Sequence, residues 1–300
     1  MANVLGHWRR THPNPPRGVF LPAGTPFVYD VISVNECLPT AAGLASSASG
    51  YSALAFALAR LYEEPDTPAD RQRLTTLARL FGGFVRWNAG IVPDGSDSIA
   101  EQIAPETHWP ELRLLICVVS GQKKAVSSTN GMQSTVQTSK TVFPARLRNV
   151  PGRLARLEAA YLARDFGTVA RLMMEDSDEM HAACADSVPP FCYLTATSEA
   201  IKGIVRDLNC SSPEPKVGYT FDAGPNAVLL TRECHLAEVE AALDAAFGRI
   251  PRGEEMLAAL MAPTASAPNP NATRGRITGL ILTQVGSGPQ VVAEGGIPCA

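Results

Sequence analysis

Apolar residues alternate or run together along the chain in a way that predicts both strands and helices. Residues 27–34 alternate and are rich in β-branched residues, which predicts a strand, and the Ala/Leu-rich residues 51–62 predict a helix. Further strands are predicted at 80–87, 112–119, 227–231 and 277–285. Further helices are predicted at 71–80, 153–163, 166–177, 198–208 and 236–247. This mixture favours an α+β fold over an all-parallel α/β fold.

A run of small residues at 39–50 lies between the first predicted strand and the first predicted helix. Its only larger members are Pro39 and Leu44. Free amides at a helix start and the positive end of the helix dipole attract phosphate, so the run is a candidate anion loop. The common P-loop is excluded because no Gly-Lys-Ser/Thr follows. A tight, close-packed turn is the alternative.

Composition narrows the class of protein. A length of 300 residues predicts one large domain or two medium ones, and a net charge of −3 argues against a general binder of nucleic acid or membrane surfaces. We expect no transmembrane helix and no secretory signal, because no sufficiently long apolar run is present. The seven cysteines are scattered and form no Cys-x-x-Cys pair, a pattern typical of reduced thiols in an intracellular protein. The five histidines are also dispersed, which argues against a zinc site.

Four further segments carry a specific resemblance. They are Asp-Gly-Ser-Asp-Ser-Ile-Ala at 94–100, Ser-Ser-Thr-Asn-Gly-Met at 127–132, Tyr-Thr-Phe-Asp-Ala-Gly-Pro-Asn-Ala at 219–227 and Thr-Gln-Val-Gly-Ser-Gly-Pro-Gln at 283–290. Together with the small-residue loop, and in this order, they resemble the mevalonate diphosphate decarboxylases. That family belongs to the GHMP-type small-molecule kinases, and the resemblance covers roughly residues 28–292.

The resemblance implies a two-part α+β fold of the GHMP-kinase type, with a deep cleft between the halves. Residues 1–27 form an irregular segment without a family match, 28–112 the remainder of the N-terminal ATP-loop domain, and 113–300 the C-terminal domain. The implied reaction is ATP-dependent decarboxylation of 5-diphosphomevalonate to isopentenyl diphosphate. The tertiary 3-hydroxyl is phosphorylated first, and phosphate and carbon dioxide then leave.

Site residues follow from matching the family motifs position by position. Asp222 falls on the catalytic position, where a carboxylate accepts or orients the proton of the 3-hydroxyl. Its alternative role is to cap a turn. Ser128, Thr129 and Met132 match positions that line the diphosphomevalonate site, the alternative being a polar loop with one semi-buried Met. The residues matched to the ATP phosphate loop are Gly43, Leu44, Ala45, Ser46 and Ser47.

The resemblance also implies ATP as co-substrate with Mg²⁺, a homodimer and a cytoplasmic location, with no nucleic-acid or membrane partner. Asp94 and Asp97 are candidates for assisting an ATP-bound Mg²⁺, and Lys123 and Lys124 could raise the positive potential near bound polyphosphates. A surface loop and a solvated lysine pair are the respective alternatives.

The chain departs from the family pattern in two places. Residues 1–27 contain nothing like the family's Lys-Tyr-Trp-Gly-Lys-type motif, and Arg79 joins directly to Leu80, where the family has a Gly-Ser-Gly-Ser-Ala-Cys-Arg-Ser stretch. Both stretches supply substrate contacts, so their loss is expected to weaken substrate binding and turnover. A truncated, poorly active or non-catalytic isoform, or another GHMP-type kinase, therefore stays as an alternative to an active decarboxylase.

Overall fold

A computed structural model describes most of the chain from residue 81 onward. The described residues are 52, 55–57, 59, 81–93, 97–119, 126–253, 255–256 and 275–289. They divide into two compact units. The first contains 81–108 and 286–289, together with the helical residues described at 52–59, and the second contains the described residues from 109 to 285.

The first unit is built on an antiparallel pair of strands, β1 (Phe84–Trp87) and β2 (Ala100–Ala104), followed by a short 3₁₀ turn at Glu106–His108. Gly82 and Gly83, which precede β1, lie against the backbone of residues 286–288, where a larger residue would not fit. A Cβ on Gly82 would lie 2.0 Å from the Ser287 carbonyl carbon, and the N–H of Gly83 donates to the carbonyl of Gly286 at 2.8 Å. The glycine pair therefore admits residues 286–288 against the strand.

The second unit is built on a four-stranded antiparallel sheet in the order β4-β5-β3-β6. β3 lies inside the sheet, paired on both sides, and its Leu115 and Cys117 are fully buried. No residue of β3 is exposed on either face of the sheet, which explains why its sequence is an almost continuous apolar run. The strands are β3 (Leu112–Val118), β4 (Val217–Phe221), β5 (Ala227–Arg232) and β6 (Gly279–Thr283).

Five helices of the described chain accompany this sheet. They are α1 (Ser128–Thr138), α2 (Val142–Ala163), α3 (Phe166–Ala185), α4 (Ala196–Cys210) and α5 (Glu233–Phe247). α3 packs closely on β4, where a Cβ on Gly218 would lie 3.0 Å from the Cα of Ala170. The core joins β3, β4 and β5 to α4 and α5, with Leu115, Ile201, Tyr219, Leu229 and Leu243 almost fully buried. The α+β prediction is confirmed.

Several predicted elements need correction. α2 begins at Val142 rather than 153 and runs through Pro151, which the sequence marks as a helix breaker. Its start is capped from outside, because the amides of Thr141 and Val142 donate to the Asp186 carboxylate at 3.1 and 3.0 Å. α3 continues eight residues beyond the predicted end at 177. The sequence prediction also missed α1, β2 and β4.

No helix in the described part of the chain is both long enough and apolar enough to cross a membrane.

Candidate functional site

Asp222 directly follows β4, in a turn that three hydrogen bonds hold in place. Its Oδ1 accepts from the amide of Ala223 at 2.7 Å, and its carbonyl accepts from the amide of Gly224 at 2.7 Å. Asn226 ties the turn to the end of β3 by accepting from the amide of Val119 at 2.7 Å. The turn thus fixes the Asp222 backbone while the side chain stays exposed to solvent.

The same turn is tied to the beginning of α4. Thr195 caps this helix, and its side chain and that of Ser198 satisfy each other's backbone amides in a capping box. The Ser198 hydroxyl also donates to the carbonyl of Pro225 at 2.8 Å. The position of Asp222 therefore depends on a helix start as well as on the hairpin between β4 and β5.

The first turn of α1 carries Ser128 and Thr129. The helix is capped by Ser127, whose Oγ accepts from the amide of Asn130 at 3.1 Å. Helix starts attract anions through their amides and dipole, and α1 has no acidic residue to oppose this. The polar-loop alternative is wrong for these residues, because they lie in a helix. Met132 is 62% exposed rather than semi-buried.

Tyr193 contacts the start of α1 through a hydrogen bond and through ring packing. Its hydroxyl donates to the carbonyl of Ser127 at 3.2 Å. A Cβ on Gly131 would lie 2.1 Å from that hydroxyl oxygen and 3.1 Å from the Phe191 ring. Glycine at position 131 is therefore what allows the Tyr193 ring to reach the first turn of the helix.

A small apolar cluster joins the α1 start to the Asp222 turn. Ala223, which follows Asp222, is buried with Tyr193 and Cys184. Val126, which precedes the α1 cap, packs against the same cluster together with Phe191. The structure thus brings together Asp222 and the segment of Ser128 and Thr129, which are far apart in sequence.

Burial shifts the pKa values of two tyrosines near this site, Tyr193 and Tyr219. Burial raises the pKa of Tyr193, and the charges of Cys184 and Asp222 add to that shift, so Tyr193 is a neutral donor. Burial also raises the pKa of Tyr219 to about 12, and its hydroxyl donates to Asp178 Oδ2 at 2.8 Å. Asp178 in turn pairs with the buried Lys202 at 2.9 Å.

Some predicted residues lie outside the described part of the chain, namely residues 43–47, Asp94 and the lysines at 123 and 124. Asp97 is described, and its carboxylate accepts from the amides of Ile91 and Val92 at 2.7 and 3.1 Å. These bonds favour its loop-stabilising alternative over metal binding. Among the residues that the structure describes, no group of three or more His, Cys, Asp or Glu is placed to hold a metal ion.

Sequence reasoning missed Tyr193, Ser198 and His181, all of which surround the Asp222 turn. Tyr193 follows a Pro-Pro pair, and His181 is a lone histidine in a helix, so neither has a local pattern that marks a site. Only the packing of α3, α4 and the β4–β5 hairpin brings them together.

Comparison with known proteins covers most of the chain. Residues 23–100 match the diphosphomevalonate decarboxylase-like N-terminal domain, and residues 114–292 match the mevalonate 5-diphosphate decarboxylase C-terminal domain. The diphosphomevalonate decarboxylase of Homo sapiens is 43% identical over 290 residues, which are 93% of this chain and 72% of the human protein.

Solved structures agree with the sequence comparison. A 2.3 Å crystal structure of a mevalonate 5-diphosphate decarboxylase has a TM-score of 0.72 and 40% identity, covering 84% of this chain and 68% of the solved one. A second structure, MDDEF in complex with MVAPP, AMPPCP and magnesium, has a TM-score of 0.61 and 33% identity, covering 69% of this chain and 64% of the solved one. The α+β fold of the GHMP-kinase type, which the resemblance implies, is confirmed.

Proposed function

Because this chain belongs to the mevalonate 5-diphosphate decarboxylase family, we infer that it is a lyase that catalyses the ATP-dependent decarboxylation of 5-diphosphomevalonate. The products are isopentenyl diphosphate, ADP, phosphate and carbon dioxide. The observation that carries this inference beyond family membership is the shared packing of the Asp222 turn and the α1 start around Tyr193. A carboxylate for the reacting hydroxyl and a helix start for an anion thus lie in one place.

We propose that Asp222 acts on the 3-hydroxyl of the substrate. A tertiary alcohol is a weak nucleophile, and an exposed carboxylate within hydrogen-bond reach accepts or orients its proton as the oxygen attacks the γ-phosphate of ATP. One carboxylate oxygen is already held by the amide of Ala223, so the turn presents the other in a fixed direction.

We propose that the α1 start binds the substrate diphosphate. The hydroxyls of Ser128 and Thr129 and the amides of the first turn are donors for phosphate oxygens. Met132 lies one turn further along and is exposed, so its side chain is available to pack against the carbon chain of the substrate.

We propose that the nucleotide phosphates are held by the small-residue loop of Gly43, Leu44, Ala45, Ser46 and Ser47, on the strength of its sequence alone. Magnesium accompanies the ATP analogue in the related complex. The described residues of this chain contain no group of three or more His, Cys, Asp or Glu placed to hold a metal ion. A role in sterol synthesis, a homodimer and a cytoplasmic location remain proposals that rest on the resemblance.

Product identification tests the proposal. The purified chain is incubated with ATP and 5-diphosphomevalonate, and the products are identified by mass spectrometry. Isopentenyl diphosphate supports decarboxylation. A phosphorylated mevalonate product without isopentenyl diphosphate would assign the chain to a kinase that does not decarboxylate, and the absence of any turnover would favour a non-catalytic isoform.

A further inference from the structure

His181 on α3 is buried, and neither of its ring nitrogens makes a hydrogen bond with good geometry. Its exposed fraction is 9%. Leaving buried polar atoms unpaired is costly, and native structures contain few such groups. A phenylalanine ring would occupy similar space without that cost. The imidazole therefore needs an explanation other than packing.

The ring of His181 lies between the two parts of the candidate site. It meets Tyr193 edge to face with centroids 6.5 Å apart, and Phe221 in the same way at 6.2 Å. Tyr193 holds the carbonyl of Ser127 at the α1 start, and Phe221 immediately precedes Asp222. His181 is thus in contact with the supports of both the carboxylate and the diphosphate-binding segment.

Burial keeps the His181 ring neutral. Burial lowers its pKa, the backbone of Phe221 opposes that fall, Lys202 adds to it, and Asp178 and Asp222 oppose it. A neutral imidazole has one N–H donor and one acceptor nitrogen. Neither nitrogen makes a hydrogen bond with good geometry, although the Phe221 backbone is close enough to raise the pKa of the ring.

The Phe221 backbone already interacts with this ring, since it raises the pKa of His181. Phe221 already donates its amide to Ser177 of α3 at 3.0 Å, so α3 anchors this segment one turn before His181. A small movement of the Asp222 turn on substrate binding would align this backbone for a full hydrogen bond from the imidazole.

We propose that His181 is a positioning residue whose imidazole donates a hydrogen bond to the Phe221–Asp222 segment in the substrate-bound enzyme and so fixes the direction of the Asp222 carboxylate. The proposal rests on the proposed role of Asp222. In the free chain the poorly paired nitrogens of His181 cost stability. In the substrate-bound enzyme the hydrogen bond serves turnover, so the effects of His181 on stability and on turnover are separable.

Two variants and a control test this role. His181→Phe keeps an aromatic ring but removes both nitrogens, so we expect a Tm no lower than the parent's, a kcat at least about tenfold lower and a KM for 5-diphosphomevalonate within about twofold. His181→Gln restores a side-chain N–H and is expected to recover part of the kcat. His235→Gln is the control, because His235 pairs with Arg232 and Glu238 away from the turn.

A parent-like kcat in His181→Phe would overturn the proposal, as would a fall in its Tm that matches its loss of activity. Nitrogen-15 NMR of the histidine rings gives a readout independent of turnover. Adding 5-diphosphomevalonate and a non-hydrolysable ATP analogue to the parent chain should shift one His181 nitrogen, and unchanged shifts in the bound protein would overturn the proposal. Failure of the parent to bind or turn over substrate would instead overturn the proposed function.

Discussion

Asp222 combines a fixed backbone with an exposed carboxylate. The amide of Ala223 binds its Oδ1, and the rest of the turn is anchored through Asn226 and Pro225. Both interpretations of this residue drawn from the sequence, a turn cap and a catalytic carboxylate, are compatible with this geometry. Substitution at the second oxygen separates them.

Asp222→Asn should lower kcat by about 10²–10⁴-fold, the usual contribution of a positioned general base. The asparagine Oδ1 can still accept from the amide of Ala223, so the free energy of unfolding should stay within about 0.5 kcal/mol of the parent. Steady-state kinetics and chemical denaturation measure the two effects. Asp207→Asn, at an exposed position on α4, is the control. A parent-like kcat for Asp222→Asn would leave the carboxylate with only its capping role.

The double variant Ser128→Ala/Thr129→Ala should raise the KM for 5-diphosphomevalonate by at least about tenfold, because each hydrogen bond to a charged oxygen contributes about 1.5–3 kcal/mol. The cap at Ser127 is retained, so the helix should still form. Initial rates at varied substrate concentration give the KM. Gln133→Ala on an exposed position of the same helix is the control, and an equal change in both variants would contradict substrate binding at the α1 start.

The elements of this chain differ in how far their sequences reveal them. β3 is predictable because its side chains are buried or half-buried on both faces of the sheet, which favours an almost continuous apolar run. α1 is not, since its residues are mostly small and polar, and its helix depends on the Ser127 cap and on Gly131 packing under Tyr193. The first eleven residues of α2 were missed because Pro151 normally ends a helix, whereas here distant side chains hold it.

The α2–α3 hairpin is held by a four-membered ion-pair network. Arg146 and Arg153 of α2 both bind Asp176 and Glu179 of α3, at N–O distances of 2.6–3.3 Å. Burial alone would raise the pKa of each carboxyl group, but the hydrogen bonds and charges of the arginines outweigh it and hold both pKa values below the ordinary range. Its two arginines lie on either side of Pro151, so the ion pairs anchor α2 to α3 both before and after the proline.

Arg153→Met should lower the free energy of unfolding by about 2 kcal/mol at neutral pH, because it leaves Glu179 largely buried without its shortest ion pair. Carboxyl groups with depressed pKa values stabilise the fold above their ordinary values, 3.8 for Asp and 4.5 for Glu, and lose that effect as the pH falls through the folded values. The difference from the parent should therefore be constant above about pH 5 and shrink in more acidic solution. Denaturation at several pH values measures it. Arg156→Met, on an exposed position of α2, should show little change, and a pH-independent loss in Arg153→Met would contradict the ionic origin.

At the scale of the whole molecule, Asp222 and the proposed diphosphate-binding segment at the start of α1 lie in the second unit, whereas the proposed ATP loop lies outside the described residues. The roles of Asp222, Ser128 and Thr129 stay predictions from the family motifs, each of which is a recognisable local pattern in the sequence. The contacts of Tyr193 with Ser127 and of His181 with Phe221 could not be predicted, since they join residues that are distant in sequence.

Arg79 joins directly to Leu80, where the family has a Gly-Ser-Gly-Ser-Ala-Cys-Arg-Ser stretch, and this departure is expected to affect the activity of the whole chain. Inserting Gly-Ser-Gly-Ser-Ala-Cys-Arg-Ser at this junction should raise kcat/KM for 5-diphosphomevalonate by at least about tenfold, because an arginine–phosphate contact contributes several kcal/mol. Initial rates of ADP formation measure the effect. An insertion of the same length with Ala in place of Arg is the control, and equal rates for the two insertions would show that the arginine is not what the chain lacks.

The ratio of carbon dioxide to ADP tests the central claim most directly. The substrate is 5-diphosphomevalonate labelled with carbon-14 in its carboxyl group, and released carbon dioxide and ADP are counted in the same reaction. A decarboxylase that phosphorylates the 3-hydroxyl and then loses phosphate and carboxylate must release the two in a 1:1 ratio, and we predict that ratio, with both rates falling together in Asp222→Asn. ADP formed without labelled carbon dioxide, or carbon dioxide release that Asp222→Asn leaves unchanged, would contradict the account.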